Sequence, residues 1–248
     1  MYKLGDYVLP KNVKPLKYEL ELKPNFKDLT FNGKVVIDLD IIKDTKEIKL
    51  NAQDLEIVKA ELRQKEIFKV VKINYNKKFQ TVSLLFNNLI KKSNANLIIE
   101  FKGKVSESLR GLYKSVYYVN DKEKIMLTTQ FEATDARRCF PCFDEPELKA
   151  KFELTLIIPK NLDAVSNMPI KSESMINNFK KIIFQETPIM STYLLAIIIG
   201  ELEYLEGKTK DNVKIRIITT PGKKDKARFA LDTAIKALEY YDNYFGIP

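Results

Sequence analysis

The sequence predicts a mostly β protein, with saddle-shaped antiparallel sheets and a single α-helix near its carboxyl end. Apolar and polar residues alternate in many short segments, which is the period of a strand with one buried face. Turn residues separate these segments, and the connections are too short for helical crossovers, so antiparallel pairing is expected. From residue 223 onward the apolar spacing changes to three and four residues, which is typical of an amphipathic helix.

The first group of predicted strands lies in the amino-terminal part of the chain. Segment 34–41 alternates apolar and polar residues, and its aliphatic side chains share one face: Val35, Ile37, Leu39 and Ile41. Such alternation marks a half-buried strand. Similar segments span residues 18–22, 47–50, 55–62, 68–73, 81–86 and 96–101. We expect turns between them at Asn32-Gly33, residues 74–78 and Asn87-Asn88.

A second group of strands and one helix complete the chain. Residues 152–158 form a strand that ends at Pro159, and further strands are predicted at residues 163–166, 180–185, 193–199 and 213–218. The helix is predicted over residues 223–244, with an apolar stripe of Ala227, Leu231, Ala234, Leu238, Tyr241 and Phe245. Gly246 and Pro248 follow as stop signals. We therefore predict a β-domain over residues 1–220 and the first helix of a further domain over residues 221–248.

The charge of the chain is basic but evenly distributed. Lysine and arginine number 42, aspartate and glutamate number 33, and the formal net charge is +9. Basic proteins bind nucleic acid or anionic membranes where the charge is concentrated. Here the lysines are scattered among acidic residues, which favours a solvated surface, so we expect neither a nucleic-acid nor a membrane partner.

Two features of the sequence indicate a cytoplasmic protein. The first seven residues contain no apolar signal core. The longest apolar run, residues 193–200, is far shorter than the ~20 residues that a membrane helix requires, and a buried strand is the better interpretation.

Histidine is absent from the sequence, and only two cysteines, Cys139 and Cys142, are present. The absence of imidazole excludes a Ser-His-Asp or Cys-His nucleophile and a histidine-ligated zinc site within this chain. The Cys-Phe-Pro-Cys spacing leaves three interpretations open: half of a metal site, a redox pair, or two cysteines that pack in the core. Because neither a second cysteine pair nor a histidine exists, we expect no metal ligand in the chain.

Segment 128–146 differs from its neighbours, because it is polar, charged and aromatic without a clear period. Gln130 and Glu132 lie two residues apart near the end of a strand, so their side chains share one face. Glu132 either binds a cationic ligand or pairs with Arg137 or Arg138. Three other carboxylates are expected to pair with these arginines in a rigid turn: Asp135, Asp144 and Glu145.

Several ordered motifs extend along the chain. The most specific are Thr129-Gln130-Phe131-Glu132 and the Phe-Pro-Cys-Phe-Asp-Glu-Pro run at residues 140–146. Others lie at residues 9–10, 15–18, 31–35, 111–115, 188–196 and 200–201. Together they resemble the zinc aminopeptidases of the aminopeptidase N and puromycin-sensitive aminopeptidase family, which includes the archaeal tricorn-interacting factors. The resemblance covers essentially the whole chain.

This resemblance implies an N-terminal β-saddle that closes one side of the cleft of a zinc aminopeptidase, an enzyme that removes single residues from peptide amino termini. By position, Glu132 corresponds to the glutamate that binds the substrate α-amine, and Gln130 to the glutamine that lines the first side-chain pocket. The family's zinc is held by a His-Glu-x-x-His helix and a further glutamate, in a domain that this sequence lacks. The resemblance therefore implies peptide substrates, a catalytic domain in cis or on a separate chain, and no hydrolysis by this chain alone.

Such a chain is expected to be an excised domain, a truncated gene product or half of a split enzyme. Two rival functions remain open. A zinc-free relative of this fold is a scaffold within a transcription factor, and the basic charge suits nucleic acid, although retention of Gln130 and Glu132 favours the peptidase. The other rival is a thiol-disulfide protein that uses Cys139 and Cys142. The family often has a histidine near residue 51, where Asn51 stands here.

Overall fold

The computed structural model describes residues 8–246, and in this range the chain is mostly β, as predicted. Its strands are β1 (Val13–Asn25), β2 (Thr30–Ile41), β3 (Thr45–Asn51), β4 (Leu55–Arg63), β5 (Ile67–Asn76), β6 (Thr81–Ile90), β7 (Asn94–Lys104), β8 (Gly111–Val119), β9 (Lys122–Gln130), β10 (Lys151–Pro159), β11 (Asp163–Ser166), β12 (Ile170–Ile176), β13 (Phe179–Phe184), β14 (Ile197–Gly200), β15 (Glu203–Lys208) and β16 (Lys214–Thr219). Short 3-10 helices span Ala136–Arg138, Thr192–Leu194 and Lys224–Ala227, and the α-helix, α1, spans Arg228–Phe245.

The chain divides into two compact units. The larger unit comprises residues up to 115 together with residues 127–160 and 164–199, and it contains the long strands. The smaller unit comprises residues 116–126, 161–163 and 200 onward, and it contains β15, β16 and α1. The division into domains at residues 220 and 221 remains a prediction.

The larger unit is built on a ten-stranded sheet with the order β12-β13-β10-β1-β2-β7-β4-β5-β6-β3. The expected antiparallel pairing holds for β2 with both of its neighbours, β1 and β7. The pair β1–β10 differs, because these two strands run parallel, with Lys17 opposite Lys151 and Leu22 opposite Leu156. These two strands are far apart in sequence, so no hairpin constrains their direction. A second sheet has the order β11-β14-β9-β8, and β15 pairs with β16.

The core of the larger unit contains the predicted face of β2, whose four aliphatic side chains are all completely buried. An aromatic cluster lies in the same unit. Tyr18 of β1 stacks on Phe152 of β10, with ring centroids 4.8 Å apart, and meets Phe140 edge-on at 6.0 Å. Phe140 in turn meets the ring of Phe131 at 6.1 Å. The aromatic motif residues Phe131 and Phe140, which follow β9, are therefore part of the hydrophobic core.

The turn predicted at Asn32-Gly33 is wrong, because both residues lie inside β2. Gly33 is directly opposite Phe101 of β7, and a Cβ atom at Gly33 would stand 2.3 Å from the Phe101 ring. Gly103 has the reciprocal relation to Phe31, at 2.2 Å. Glycine is required at both positions because a phenylalanine ring of the neighbouring strand packs directly against the backbone, and not because the chain turns there. The turn predicted at Asn87-Asn88 is also wrong, since β6 continues to Ile90.

The predicted segments do not include four of the strands, β8, β9, β12 and β15, and the sequence of each lacks a simple alternating pattern. Strand β12 is exposed at every position, so no apolar face marks it. Strands β8, β9 and β15 carry mixed apolar and polar residues on partly exposed faces. The strand predicted at residues 193–199 is shorter than expected, because Thr192–Leu194 is a 3-10 helix and β14 begins at Ile197.

The smaller unit contains the predicted helix, which begins five residues later than expected after a 3-10 turn and ends at Gly246 in the left-handed conformation. Gly207 of β15 lets the Leu231 and Ile235 side chains approach the hairpin, since a Cβ there would lie 3.0–3.3 Å from them. Much of the predicted apolar stripe is exposed at its end, where Tyr241 and Phe245 are 52% and 64% exposed. No helix in the described part of the chain is long and apolar enough to cross a membrane.

Candidate functional site

Gln130 and Glu132 are both exposed, at and just beyond the end of β9. Gln130 is the last residue of β9, Glu132 follows it in a turn, and Phe131 between them is buried. The Gln130 Nε2 atom donates a hydrogen bond to the Glu132 carbonyl oxygen at 3.4 Å. The Glu132–Ala133 peptide bond is cis. Both side chains are therefore available to a ligand, and the side chain of Phe131 anchors the backbone between them in the core.

The turn that carries Glu132 is closed by its own backbone and by a side-chain ion pair. The Asp135 amide donates to the Phe131 carbonyl oxygen at 2.8 Å, and the 3-10 helix Ala136–Arg138 follows. Arg138 Nε donates to Asp135 Oδ1 at 2.8 Å, and its Nη1 atom donates to Asp54 Oδ2, also at 2.8 Å. Arg138 thus connects the Glu132 turn to the turn between β3 and β4.

Arg137 and Asp144 form a buried ion pair on the inner side of the same segment. The Arg137 Nε atom lies 2.9 Å from Asp144 Oδ2, and the exposed fractions of the two side chains are 11% and 2%. Arg137 also donates to the Asp144 carbonyl oxygen at 3.1 Å and to Gln80 Oε1 at 3.2 Å. Burial raises the pKa of the Asp144 carboxyl, and the neighbouring guanidinium opposes that rise. This pair confirms one of the expected carboxylate–arginine contacts, and Asp135 with Arg138 confirms a second.

The third expected contact is wrong, because Glu145 accepts a hydrogen bond from the Leu9 amide at 2.6 Å instead of pairing with an arginine. Neither arginine pairs with Glu132 within residues 8–246, since aspartates occupy both guanidinium groups. The interpretation of Glu132 as an arginine partner is therefore not supported. What remains is an exposed carboxylate next to an exposed amide, which is suited to a cationic, hydrogen-bond-donating ligand.

Two residues that fix this segment were missed in the sequence. Asn51 at the end of β3 is buried, and its side-chain oxygen accepts the Asp144 amide at 3.0 Å, while its backbone exchanges two hydrogen bonds with Cys142. The buried Tyr18 hydroxyl accepts the Phe143 amide at 3.1 Å. Asn51 lies 93 positions from Asp144 and Tyr18 lies 125 positions from Phe143, so only tertiary structure brings these residues together.

Cys139 and Cys142 are free and completely buried, in agreement with the interpretation that they pack in the core. Burial raises the pKa of both thiols, and the Asp144 carboxylate adds to the effect on Cys142. The thiolate is the reactive form of cysteine, so these positions are chemically inert in the folded chain. The thiol-disulfide function is thus not supported.

The described residues do not fit a metal ion. Across residues 8–246, no group of three or more histidine, cysteine, aspartate or glutamate side chains is arranged to bind one. A catalytic zinc site needs three protein ligands, and these commonly include histidine. This sequence contains no histidine. Any zinc chemistry of the family would therefore require ligands from outside these residues.

Comparison with known proteins defines the class of this chain. Residues 14–194, which include Gln130 and Glu132, match the model of the peptidase M1 N-terminal domain. The chain therefore belongs to the M1 aminopeptidase family, of which it represents the N-terminal domain.

The relatives are aminopeptidases, and the similarity extends across the chain. Aminopeptidase M1 of Arabidopsis thaliana is 40% identical over 249 aligned residues, which cover 98% of this chain and 28% of the relative. The puromycin-sensitive aminopeptidase of Caenorhabditis elegans is 35% identical over 96% of this chain and 26% of its own length. The alanine/arginine aminopeptidase of Saccharomyces cerevisiae is 37% identical over 97% of this chain. The chain thus spans about a quarter of the length of these relatives.

Proposed function

We propose that this chain is the substrate-recognition domain of a zinc aminopeptidase, in which Glu132 binds the free α-amine of a peptide and Gln130 helps to line the pocket for its first side chain. The observation that carries the proposal is the exposed, arginine-free Glu132 carboxylate beside Gln130, at a position that the family model covers. The peptide substrate, the zinc ion and the amine-binding role are parts of the proposal.

The physical basis is the difference between an amino terminus and an internal amide. A terminal ammonium donates charge-assisted hydrogen bonds to a carboxylate, and each contributes about 1.5–3 kcal/mol. An internal peptide bond has no such charge and would leave the carboxylate desolvated without a partner. Holding the ammonium also sets the distance from the amino terminus to the reacting carbonyl, which makes the cleavage register that of an exopeptidase.

Hydrolysis itself belongs to residues outside the described part of this chain. Zinc, when bound, would polarise the scissile carbonyl and activate water. The zinc ligands would come from a catalytic domain, either in cis or on a second chain. The same domain would also complete the amine site. The exposed aromatic end of α1, at Tyr240, Tyr241, Tyr244 and Phe245, fits the proposal that this helix packs against that domain.

A binding experiment on this chain tests the amine site directly. L-leucinamide is titrated into the isotope-labelled chain, and the backbone amide shifts of residues 130–133 are followed by NMR. We expect saturable shifts at millimolar concentrations, since half of the site is open to solvent. N-acetyl-L-leucinamide, which lacks the ammonium, should cause no comparable shifts.

Glu132→Gln should remove the selective response, because the variant keeps the size of the side chain and loses its charge. Glu66→Gln, at an exposed glutamate in the turn between β4 and β5, is the matched control and should behave as wild type. Equal binding of both ligands to the wild-type chain would refute the proposal and favour a non-catalytic scaffold.

An enzyme assay extends the test to catalysis. The chain replaces the matching segment of Arabidopsis thaliana aminopeptidase M1, and kcat/KM is measured with aminoacyl fluorogenic substrates. Glu132→Ala should lower kcat/KM of an active chimera by about tenfold to a hundredfold, the equivalent of one charged hydrogen bond. An unchanged kcat/KM would contradict a role for Glu132 in amine binding.

A further inference from the structure

We infer that Arg138 is a positioning residue for Glu132, which fixes the carboxylate through Asp135 and Asp54 without contacting the ligand. The inference rests on the proposed amine-binding function and adds the means by which the carboxylate is kept in place. Four features of the structure carry it: the hydrogen-bonded turn, the two contacts of the guanidinium, the close packing of the Arg138 stem, and the independent anchoring of the inner side of the segment.

Glu132 lies inside a turn whose ends are closed by the hydrogen bond from the Asp135 amide to the Phe131 carbonyl oxygen, at 2.8 Å. The Phe131 end is fixed by burial of its ring against Phe140. At the Asp135 end the following residue, Ala136, is buried, while Asp135 itself presents a carboxylate at the start of a three-residue 3-10 helix. The core therefore holds the backbone after Asp135, and the contacts of the Asp135 carboxylate restrict the outer part of the turn.

Arg138 supplies that contact and connects it to a second element. Its Nε atom binds Asp135 Oδ1 and its Nη1 atom binds Asp54 Oδ2, each at 2.8 Å. A guanidinium is planar, so two such contacts fix the direction of the side chain, and a lysine could not reproduce them together. The turn that carries Glu132 is thereby fastened to the turn that precedes β4. Arg110 approaches the other Asp135 oxygen at 3.8 Å only, from a position that is 63% exposed.

The stem of Arg138 is fixed as well. Gly111 opens β8 with φ of +65°, and a Cβ atom at that position would stand 2.8 Å from the Arg138 Cβ. Glycine therefore permits a contact with the arginine stem that any other residue would push apart. The aliphatic part of Arg138 packs against Gly111, and its guanidinium binds two aspartates. The side chain is only 23% exposed, so it has little freedom to move.

The inner side of the segment is held without Arg138. Arg137 binds the buried Asp144, Asn51 binds the Asp144 amide, and Tyr18 binds the Phe143 amide. Loss of the Arg138 contacts should therefore leave the core intact and release only the outer turn. This separation distinguishes a positioning residue from one that maintains the fold.

The test uses this chain, the NMR titration with L-leucinamide, and thermal unfolding of each variant. Arg138→Ala should weaken binding of L-leucinamide at least about fivefold, since small displacements of a charged group are costly in a fixed site. The unfolding midpoint should change little, because the ion pairs are partly exposed. Arg138→Lys should recover part of the affinity at most. Arg63→Ala, which removes an exposed ion pair with Glu61 in β4, is the matched control and should bind as wild type.

The outcomes separate this inference from the proposed function. If Glu132→Gln abolishes selective binding while Arg138→Ala binds as tightly as wild type, the positioning role is refuted and the amine site stands. If Glu132→Gln has no effect, the amine site itself is refuted, and the role of Arg138 with it. Should Arg138→Ala fail to fold, Asp54→Asn takes its place, since that side chain is 73% exposed. Asp54→Asn should weaken binding about twofold or more, and wild-type affinity in that variant would refute the inference.

Discussion

At the residue scale, the adjacent arginines Arg137 and Arg138 have different environments. Arg137 points inward to a carboxylate that is almost completely buried, while Arg138 lies nearer the surface between two aspartates. Breaking a buried pair leaves an unpaired charge in a medium of low polarity, whereas a partly exposed partner is rehydrated. The first arginine is therefore expected to maintain the fold and the second to position the site.

Arg137→Ala should lower the free energy of unfolding by about 3–5 kcal/mol, because Asp144 would remain buried without its partner. Arg138→Ala should lower it by no more than ~1 kcal/mol. Urea unfolding of both variants, monitored by far-ultraviolet circular dichroism, measures the difference between the two losses of stability. Equal losses for the two arginines would contradict the separation of their roles.

At the scale of elements, strands β2 and β7 depend on two reciprocal glycine–phenylalanine pairs. Each ring covers the glycine directly opposite on the neighbouring strand, so both rings stay buried within the sheet. Cross-strand pairs of this kind stabilise a sheet at glycine positions that would otherwise weaken it.

Gly33→Ala should lower the free energy of unfolding by about 1–3 kcal/mol, the usual effect of overpacking, because the new methyl group would stand 2.3 Å from the Phe101 ring. Chemical denaturation of the variant measures this loss. Asn94→Ala, at the exposed start of β7, is the control and should change stability little. A Gly33→Ala variant as stable as wild type would show that the ring moves away freely.

A carboxylate of β15 caps backbone amides in the segment that precedes α1. Glu203 of β15 accepts the Lys223 and Lys224 amides at 2.8 and 2.6 Å, and these hydrogen bonds lower the pKa of its carboxyl. A carboxyl with a lower pKa in the folded state binds fewer protons than in the unfolded chain, so its stabilising effect is present above the unfolded pKa and is lost as pH falls through the folded pKa.

Glu203→Gln should therefore lower the thermal midpoint at pH 7, and the difference from wild type should diminish as pH falls below the ordinary pKa of glutamate, about 4.3. The glutamine oxygen still accepts an amide hydrogen, so the variant isolates the effect of charge. Thermal unfolding at several pH values measures it. A difference that persists unchanged at pH 3 would mean that the charge of Glu203 does not act in this way.

At the scale of the whole molecule, local patterns predicted the strands well where one face is buried and poorly elsewhere. The alternation in β2 predicts the strand correctly because the aliphatic side chains of one face are all in the core, whereas β12 has no buried residue and no such pattern. Asn32-Gly33 was interpreted as a turn because local composition does not reveal a ring on a neighbouring strand.

The sequence by itself determined the β class, the amphipathic helix and the lack of histidine in this chain, since these depend on composition and on the period of the backbone. Only the tertiary structure decided which carboxylate binds which arginine, and that Asn51 and Tyr18 hold the segment from distant strands. The physical reason is that alternation fixes the direction of a side chain relative to its own strand, while its partners depend on strand order and register, which join residues far apart in the chain.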